Sequence, residues 1–286
     1  MHKVLIANRG EIAVRIARTA ADRGIASVAV YASDDAASLH RRAADHARAL
    51  GAQGAAAYLN GAHLIEIARQ EGCDAVHPGY GFLSENAAFA QACRAAGLRF
   101  IGPSAQALET FGDKAQARAL AERVQVPVAQ GTHSATSLAQ AQAFMQQLGG
   151  PVMLKALAGG GGRGMRAVMA VEDLGAAFDR CSSEALSAFG RSDLYVEQLI
   201  GGARHIEVQI VGDGSGAVQH LFERDCTLQR RHQKLLEIAP SPFISAALRA
   251  QLLQHACRLG AAMHYQGLGT VEFLVDSRSG QYIFIE

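Results

Sequence analysis

The chain reads as an α/β protein built from more than one part, and three observations carry that reading. Short apolar runs alternate with helix-length amphipathic stretches over the first third. A glycine-rich loop lies between two strand-like runs near the middle, and the last third is rich in strands. Strand-helix alternation makes βαβ units and therefore a parallel sheet, while grouped strands belong to an α+β arrangement. With 286 residues, 49% hydrophobic and 19% charged, the chain can bury a substantial core and has the length of more than one domain.

Taken in order, the first third predicts a strand at Val4 to Ala7, a helix at Glu11 to Ala21, a strand at Ala26 to Tyr31, a helix at Ala62 to Arg69, a strand at Ala75 to His77 and a helix at Ala87 to Ala96. Arg9-Gly10-Glu11 follows the first strand, so a tight turn would aim a helix N-terminus above the sheet edge. No GxGxxG fingerprint follows that strand, and a plain structural turn explains Gly10 equally well. From Gly102-Pro103-Ser104 the pattern is helical through Phe111 and on to Val124; Val126-Pro127-Val128 and Gly131 then read as a linker, with a boundary near residue 113. Beyond it come strands at Val152 to Lys155, Met165 to Val168 and Leu194 to Glu197, with a helix from Val171 to Ala188. The strand-rich end holds Ile206 to Val211, Ala217 to Glu223, a helix from Ala246 to His264, and a hairpin of Gly269 to Val275 and Tyr282 to Glu286 joined through Asp276 to Gly280.

Charge and cysteine content remove several function classes. Lys plus Arg number 27 against 26 Asp plus Glu, a net charge of +1, so no global field draws the chain to nucleic acid or an anionic membrane. Any anionic ligand must be held locally. No apolar run approaches the roughly 20 residues of a membrane span, and the stretch after Met1-His2-Lys3 is too short for a signal sequence, which points to the cytoplasm. Cys73, Cys93, Cys181, Cys226 and Cys257 show no CxxC spacing, so reduced thiols are expected rather than a zinc site or a disulfide framework.

Three stretches carry chemistry. Glycine fills five of the six positions from Gly159 to Gly164, a composition that weakens packing and has its use where backbone N–H groups must converge on an anion. No Gly-Lys-Ser/Thr follows, so this is not a Walker A loop. Lys155 ends the preceding strand, placed to reach a phosphate or a base, although a solvated strand-end lysine would look the same. Residues 158 to 164 are expected to close over a nucleotide as a lid. Glu272 and Glu286 each interrupt an apolar strand; two carboxylates on a hairpin can share Mg²⁺ or can sit in structural ion pairs. The run from Glu223 to Lys234 has the charge density of a solvated loop, yet Arg224, Gln229, Arg230, His232 and Lys234 are donors suited to phosphate and a small carboxylate-like anion.

These stretches, together with Ile6 to Ala13, His77-Pro78-Gly79-Tyr80-Gly81-Phe82-Leu83-Ser84-Glu85-Asn86, Phe100 to Ser104 and Gly112-Asp113-Lys114, resemble biotin carboxylase of the ATP-grasp superfamily over the entire chain. The resemblance implies a Rossmann-like N-terminal domain over residues 1–113, an ATP-grasp lid subdomain with the glycine loop over 114–204 and an incomplete ATP-grasp core subdomain over 205–286. It implies that Lys114 and Lys155 contact ATP, that the loop at Gly161 and Gly162 covers the phosphates, and that Glu197, Gln198, Leu199 and Ile200 read adenine. His205 and His232 would lie along the nucleotide, although His205 also fits a satisfied core histidine at the start of a strand. Lys234, with His232 and Gln229, would serve catalysis by holding bicarbonate or carboxyphosphate, and Glu272 with Glu286 would bind Mg²⁺ or Mn²⁺. Tyr80 would face biotin. Partners implied are a biotin carboxyl carrier domain, a carboxyltransferase component and a second copy in a homodimer. Gln198 stands where a lysine is common, and Ala43-Ala44-Asp45-His46 departs from the usual acidic pattern of a surface helix.

The family carboxylates biotin through carboxyphosphate, and its remaining carboxylation residues would follow Glu286. The chain is therefore expected to be a truncated, ATP-binding portion, weak or inactive alone. Two other readings stand beside it: a catalytically incomplete nucleotide-binding module, and another ATP-grasp ligase such as carbamoyl-phosphate synthetase, which has no reason to carry His77 to Asn86 and Arg224 to Lys234 together.

Overall fold

The alternation of apolar and amphipathic runs in the first hundred residues does build a parallel sheet. The computed structural model describes residues 1–132, 134–158, 164–230, 233–276 and 279–286, which divide into units Met1–Glu109 and Thr110–Glu286.

The first unit runs β1 (Lys3–Ile6), α1 (Gly10–Asp22), β2 (Ala26–Tyr31), α2 (Leu39–Ala43), β3 (His46–Ala49), α3 (Gly61–Gln70), β4 (Ala75–His77), α4 (Ala87–Ala95) and β5 (Arg99–Phe100). All neighbours pair in parallel in the order β3-β2-β1-β4-β5. Helices on both faces explain why β1 and β2 are mostly apolar: Leu5, Val28, Val30 and Val76 pack with Tyr58 and Leu64 on one side, Ile6 with Ala13 and Ile16 on the other. Asn60 and Asn86 start α3 and α4 by accepting from the backbone N–H of His63 and Phe89. The segment Ala43 to His46 is not a surface helix; α2 stops at Ala43, Asp45 accepts two hydrogen bonds from Ser27, and His46 opens an edge strand. Buried Asn8 donates to the carbonyls of Pro78 and Tyr80 at 2.7 and 2.9 Å, clamping that loop to the end of β1. Gly79, at φ +68°, lies so close that a Cβ would meet Asn8 Nδ2 at 2.6 Å. Tyr80 is exposed, and its hydroxyl donates to Glu11.

The helical run after Ser104 is two helices, α5 (Ala105–Gly112) and α6 (Lys114–Arg123), because Asp113 leaves the helix to cap α6, accepting from Ala115 and Gln116. The rest of the second unit is α7 (Leu138–Leu148), β6 (Val152–Ala156), β7 (Met165–Val168), α8 (Leu174–Phe189), β8 (Leu194–Gln198), β9 (Arg204–Asp213), β10 (Val218–Arg230), β11 (Gln233–Ile238), α9 (Ala246–Ala262), β12 (Gln266–Val275) and β13 (Tyr282–Phe284). A three-stranded antiparallel sheet, β7-β6-β8, packs Val152, Leu154 and Val196 against Leu174 and Cys181 of α8 and Ala141 and Met145 of α7. A five-stranded antiparallel sheet, β11-β10-β9-β12-β13, buries Ile206, Val208, Ile210 and Phe273 under Leu252 and Leu259 of α9 and Ala117 and Leu120 of α6. Helix α6 thus shares its core with the larger sheet.

Two readings are corrected here. The charged run Glu223 to Arg230 is strand, not loop: Glu223 and Asp225 are buried and bound by Arg249, Ser241 and Arg204, so their charges are compensated inside the sheet. The segment after Val126 is more than a linker, since Val128 bridges Phe284 and Gly131 bridges Glu197. Among the described residues no helix is long and apolar enough to cross a membrane.

Candidate functional site

Strand periodicity decides which side chains face outward from the two sheets of the second unit. On β9, Ile206, Val208 and Ile210 point into the core, so His205, Glu207 and Gln209 share the opposite face. On β6, Val152 and Leu154 are core and Met153 and Lys155 face away. Between these polar faces lies a cavity of about 600 Å³. Of the described residues singled out from the sequence, Lys114, Lys155, Glu197, Gln198, Leu199, Ile200, His205, Gln229, Lys234, Glu272 and Glu286 line it, while Arg224, Arg230 and Tyr80 do not. His232 and the loop with Gly161 and Gly162 lie outside the described residues. The loop's anchors are described: β6 and β7 form an antiparallel hairpin that pairs Lys155 with Met165, and Gly164 O accepts from Ala156 N–H at 2.8 Å and from the Cys181 thiol at 3.1 Å.

One end of the cavity is acidic. Glu207 and Glu272 are direct neighbours across β9 and β12, and Arg224 faces Glu207 from β10. Like charges directly opposite repel, and here cations separate them. Lys234 donates to Glu207 and, at 2.6 Å, to Glu272, while Arg224 donates to Glu207. Glu272 also takes a hydrogen bond from His205 Nε2 at 2.8 Å. The Gln229 amide nitrogen donates to the Cys226 carbonyl at 2.9 Å and to His205 Nδ1 at 2.8 Å, which leaves Nε2 as the protonated nitrogen facing Glu272. Burial alone would raise the Glu272 carboxyl, but the hydrogen bonds from His205 and Lys234 and the Lys234 charge outweigh it and hold it at about 2. Burial would likewise lower the Lys234 ammonium, and its bonds to Glu207 and Glu272 instead hold it above the ordinary lysine range. Backbone bonds place Glu286 beside Glu272: Glu272 N–H donates to Glu286 O at 2.6 Å and Ile285 N–H to Glu272 O at 2.9 Å.

The other end is cationic. Lys155 pairs with Glu197, whose second oxygen accepts from Arg118 at 3.2 Å. Burial, then the Glu197 charge, pushes the Tyr195 phenol well above its usual value. Gly131 packs directly on this strand, where a Cβ would meet Val196 O at 2.8 Å and Glu197 Cβ at 2.9 Å. Gly131→Ala is therefore expected to destabilise the chain by about 1 to 3 kcal/mol, read as a lower urea midpoint; an unchanged midpoint would show that the two segments part easily.

Two residues here were not singled out from the sequence. Glu207 was signalled by the polar-apolar alternation from His205 to Ile210. Arg118 had no comparable signal, since one arginine in an alanine-rich helix looks like surface. Among the described residues, His205, Glu207 and Glu272 bring ligand atoms within 4.8 Å of one another, and this set, oxygen-rich with Glu286 beside it, fits a hard divalent cation.

A glycine hairpin on a small sheet facing an acid- and cation-bearing larger sheet is the arrangement of an ATP-grasp fold, and the comparisons bear this out. Residues 1–108 match the family described as "Biotin carboxylase, N-terminal domain" and residues 113–286 that described as "Carbamoyl-phosphate synthase L chain, ATP binding domain". The biotin carboxylase structure solved as a β,γ-ATP complex from Campylobacter jejuni superposes with a TM-score of 0.96 at 42% identity, covering 99% of this chain and 64% of that one. The biotin carboxylase domain dimer of Hydrogenobacter thermophilus 2-oxoglutarate carboxylase, in complex with MgADP, ADP and bicarbonate, gives 0.95 at 41% identity, covering 99% and 63%. Mitochondrial pyruvate carboxylase of Rattus norvegicus is 50% identical over 99% of this chain and 24% of its own length. The chain belongs to the biotin carboxylase family and spans about a quarter of the curated pyruvate carboxylases it matches.

Proposed function

We propose that this chain is the ATP-binding portion of a biotin carboxylase, acting on MgATP and bicarbonate to carboxylate biotin on a carrier domain. The observation that carries the proposal is the single cavity lined by Lys155, beside the glycine hairpin, and by Lys234, His205, Glu272 and Glu286 opposite. A triphosphate spans a cationic and an acidic end when a divalent cation screens it from the carboxylates. Glu197 to Ile200 would line the base, Lys114 and Lys155 would neutralise phosphate oxygens, and Gly161 and Gly162 would cover them with backbone N–H groups.

Glu272 and Glu286, with Glu207 beside Glu272, are the residues that would hold Mg²⁺ or Mn²⁺; bound there, the ion would polarise the terminal phosphate and neutralise charge as it develops. A bicarbonate oxygen attacks the γ-phosphorus, the bond to the β,γ-bridging oxygen breaks, and carboxyphosphate and ADP result. Lys234 would turn from Glu207 and Glu272 toward the bicarbonate or carboxyphosphate anion, with His232 alongside. Gln229 would keep His205 oriented through Nδ1. Biotin, carried on a carboxyl carrier domain, then accepts the carboxyl group from carboxyphosphate at its ureido nitrogen, with inorganic phosphate leaving and the ureido N–H proton lost. A carboxyltransferase component, a homodimer and a cytoplasmic setting complete the proposal. The subdomain limits are proposed at 1–113, 114–204 and 205–286.

The test is phosphate release from MgATP, with and without bicarbonate and with free biotin as acceptor. Bicarbonate-stimulated release supports the carboxylase. Tight MgATP binding without stimulated release would reduce the chain to a nucleotide-binding module, and no binding by the folded chain would sink the proposal.

A further inference from the structure

Three charged side chains meet inside the second unit with almost no exposure: Arg118 on α6 at 4%, Lys155 on β6 at 8% and Glu197 on β8 at 5%. The two cations share one carboxylate. Lys155 Nζ takes Glu197 Oε1, one guanidinium nitrogen of Arg118 takes Oε2 at 3.2 Å, and another donates to the Ala129 carbonyl at 2.7 Å. Lys155 and Glu197 line the cavity, and Arg118 stands behind Glu197, outside the set of lining residues.

We propose that Arg118 is a positioning residue that allows Lys155 to exchange between Glu197 and an anionic ligand in the cavity. The inference rests on reading that cavity as a nucleotide site, and it adds the means by which its buried lysine becomes available. A carboxylate buried without a cation is strongly unfavourable. If Lys155 were the only partner of Glu197, moving the ammonium onto a phosphate would strand that charge, and the lysine would stay paired. Arg118 removes the obstacle by holding the second oxygen throughout. Its guanidinium is always charged and its planar fork is already anchored on Ala129 O, so it does not follow the lysine. Lys155 has the opposite character, a flexible stem carrying three rotatable donors, suited to holding a carboxylate oxygen in one state and a phosphate oxygen in the next. A neutral side chain at position 118 therefore locks Lys155 onto Glu197.

The experiment compares two ligands on the same full chain by calorimetry: MgATP, which needs Lys155, and adenosine, which has no phosphate. Arg118→Met is expected to weaken MgATP binding about tenfold or more while adenosine binding stays within about twofold. Arg118→Lys, which keeps the charge, is expected to bind MgATP nearly as the unaltered chain does. In a Glu197→Gln background the lock is absent, so adding Arg118→Met is expected to change MgATP affinity little, a non-additivity that a general packing defect would not produce. Should Arg118→Met alone fail to fold, the comparison within the Glu197→Gln background and the behaviour of Arg118→Lys still decide the matter. Equal losses for both ligands, unaltered MgATP binding in Arg118→Met, or additive effects in the double variant would overturn the inference. An unaltered, folded chain that binds no MgATP would overturn the proposed function and this inference with it; normal binding without the ligand-specific loss would overturn this inference alone.

Discussion

Changing Lys234 to methionine is expected to destabilise the folded chain by about 3 kcal/mol at neutral pH and to make the remaining stability depend on divalent cations. Among the described residues Lys234 alone bridges Glu207 and Glu272, which face each other across β9 and β12. Without it, Glu207 keeps Arg224 and Glu272 keeps His205, but no described side chain bridges the two carboxylates. Breaking a buried ion pair on one side costs about 3 to 5 kcal/mol, and the lower figure applies because Lys234 is about a quarter exposed. A divalent cation entering between the carboxylates replaces the missing charge. Urea melts with and without Mg²⁺ or Mn²⁺ check this: the variant gains more from the metal than the unaltered chain, and coincident melts with equal metal responses would refute it.

The second large effect is on acid stability, through Glu272→Gln. The Glu272 carboxyl is held near 2 in the folded chain against an ordinary value of 4.5. A depressed carboxyl stabilises the fold above its ordinary range, and that contribution is lost as pH falls from about 4.5 toward 2. A difference of this size corresponds to a contribution on the order of 3 kcal/mol, so the unaltered chain should lose about that much across the window. Glutamine does not titrate, and its single oxygen can accept from only one of His205 and Lys234, which bind the two different carboxylate oxygens of Glu272. The variant is therefore expected to begin less stable at pH 7 and to show a flatter acid limb. Denaturant midpoints at half-unit pH steps measure it; parallel limbs for the two proteins would mean that other carboxylates dominate acid unfolding.

Much of the fold was legible because burial imposes period. The buried strands β1, β2, β4, β6, β8 and β12 announced themselves as apolar runs, and glycines at Gly159 to Gly164 marked the hairpin after β6. Short edge strands were not legible: β3 exposes most of its residues and β5 has two, so neither carries a pattern. Helix α7 was passed over although its start is written in the sequence, where Ser137 and Gln140 form a capping box. Only tertiary neighbours resolve β10, since a dense run of charges looks solvated until Arg204, Arg249 and Ser241 are seen to meet its buried acids. The site divides the same way. Residues that interrupt an apolar run, Glu272 and Glu286 among them, attract notice, whereas Arg118 is defined by Glu197, 79 positions away.

The opposed pair Glu207 and Glu272 also bears on how this chain would respond to selection for heat tolerance. Exchanging a whole buried ionic group for apolar side chains of similar volume is often neutral or stabilising, although each single exchange is costly, so a screen that rewards only folding should find gains where Glu207, Lys234 and Glu272 are replaced together. Those gains would come at the positions proposed to meet the metal and the anion, where stability and activity trade against each other. Laboratory evolution of a heat-resistant form should therefore keep a metal-dependent assay in every round, or the lineage will drift toward a well-packed protein with nothing to hold a cation.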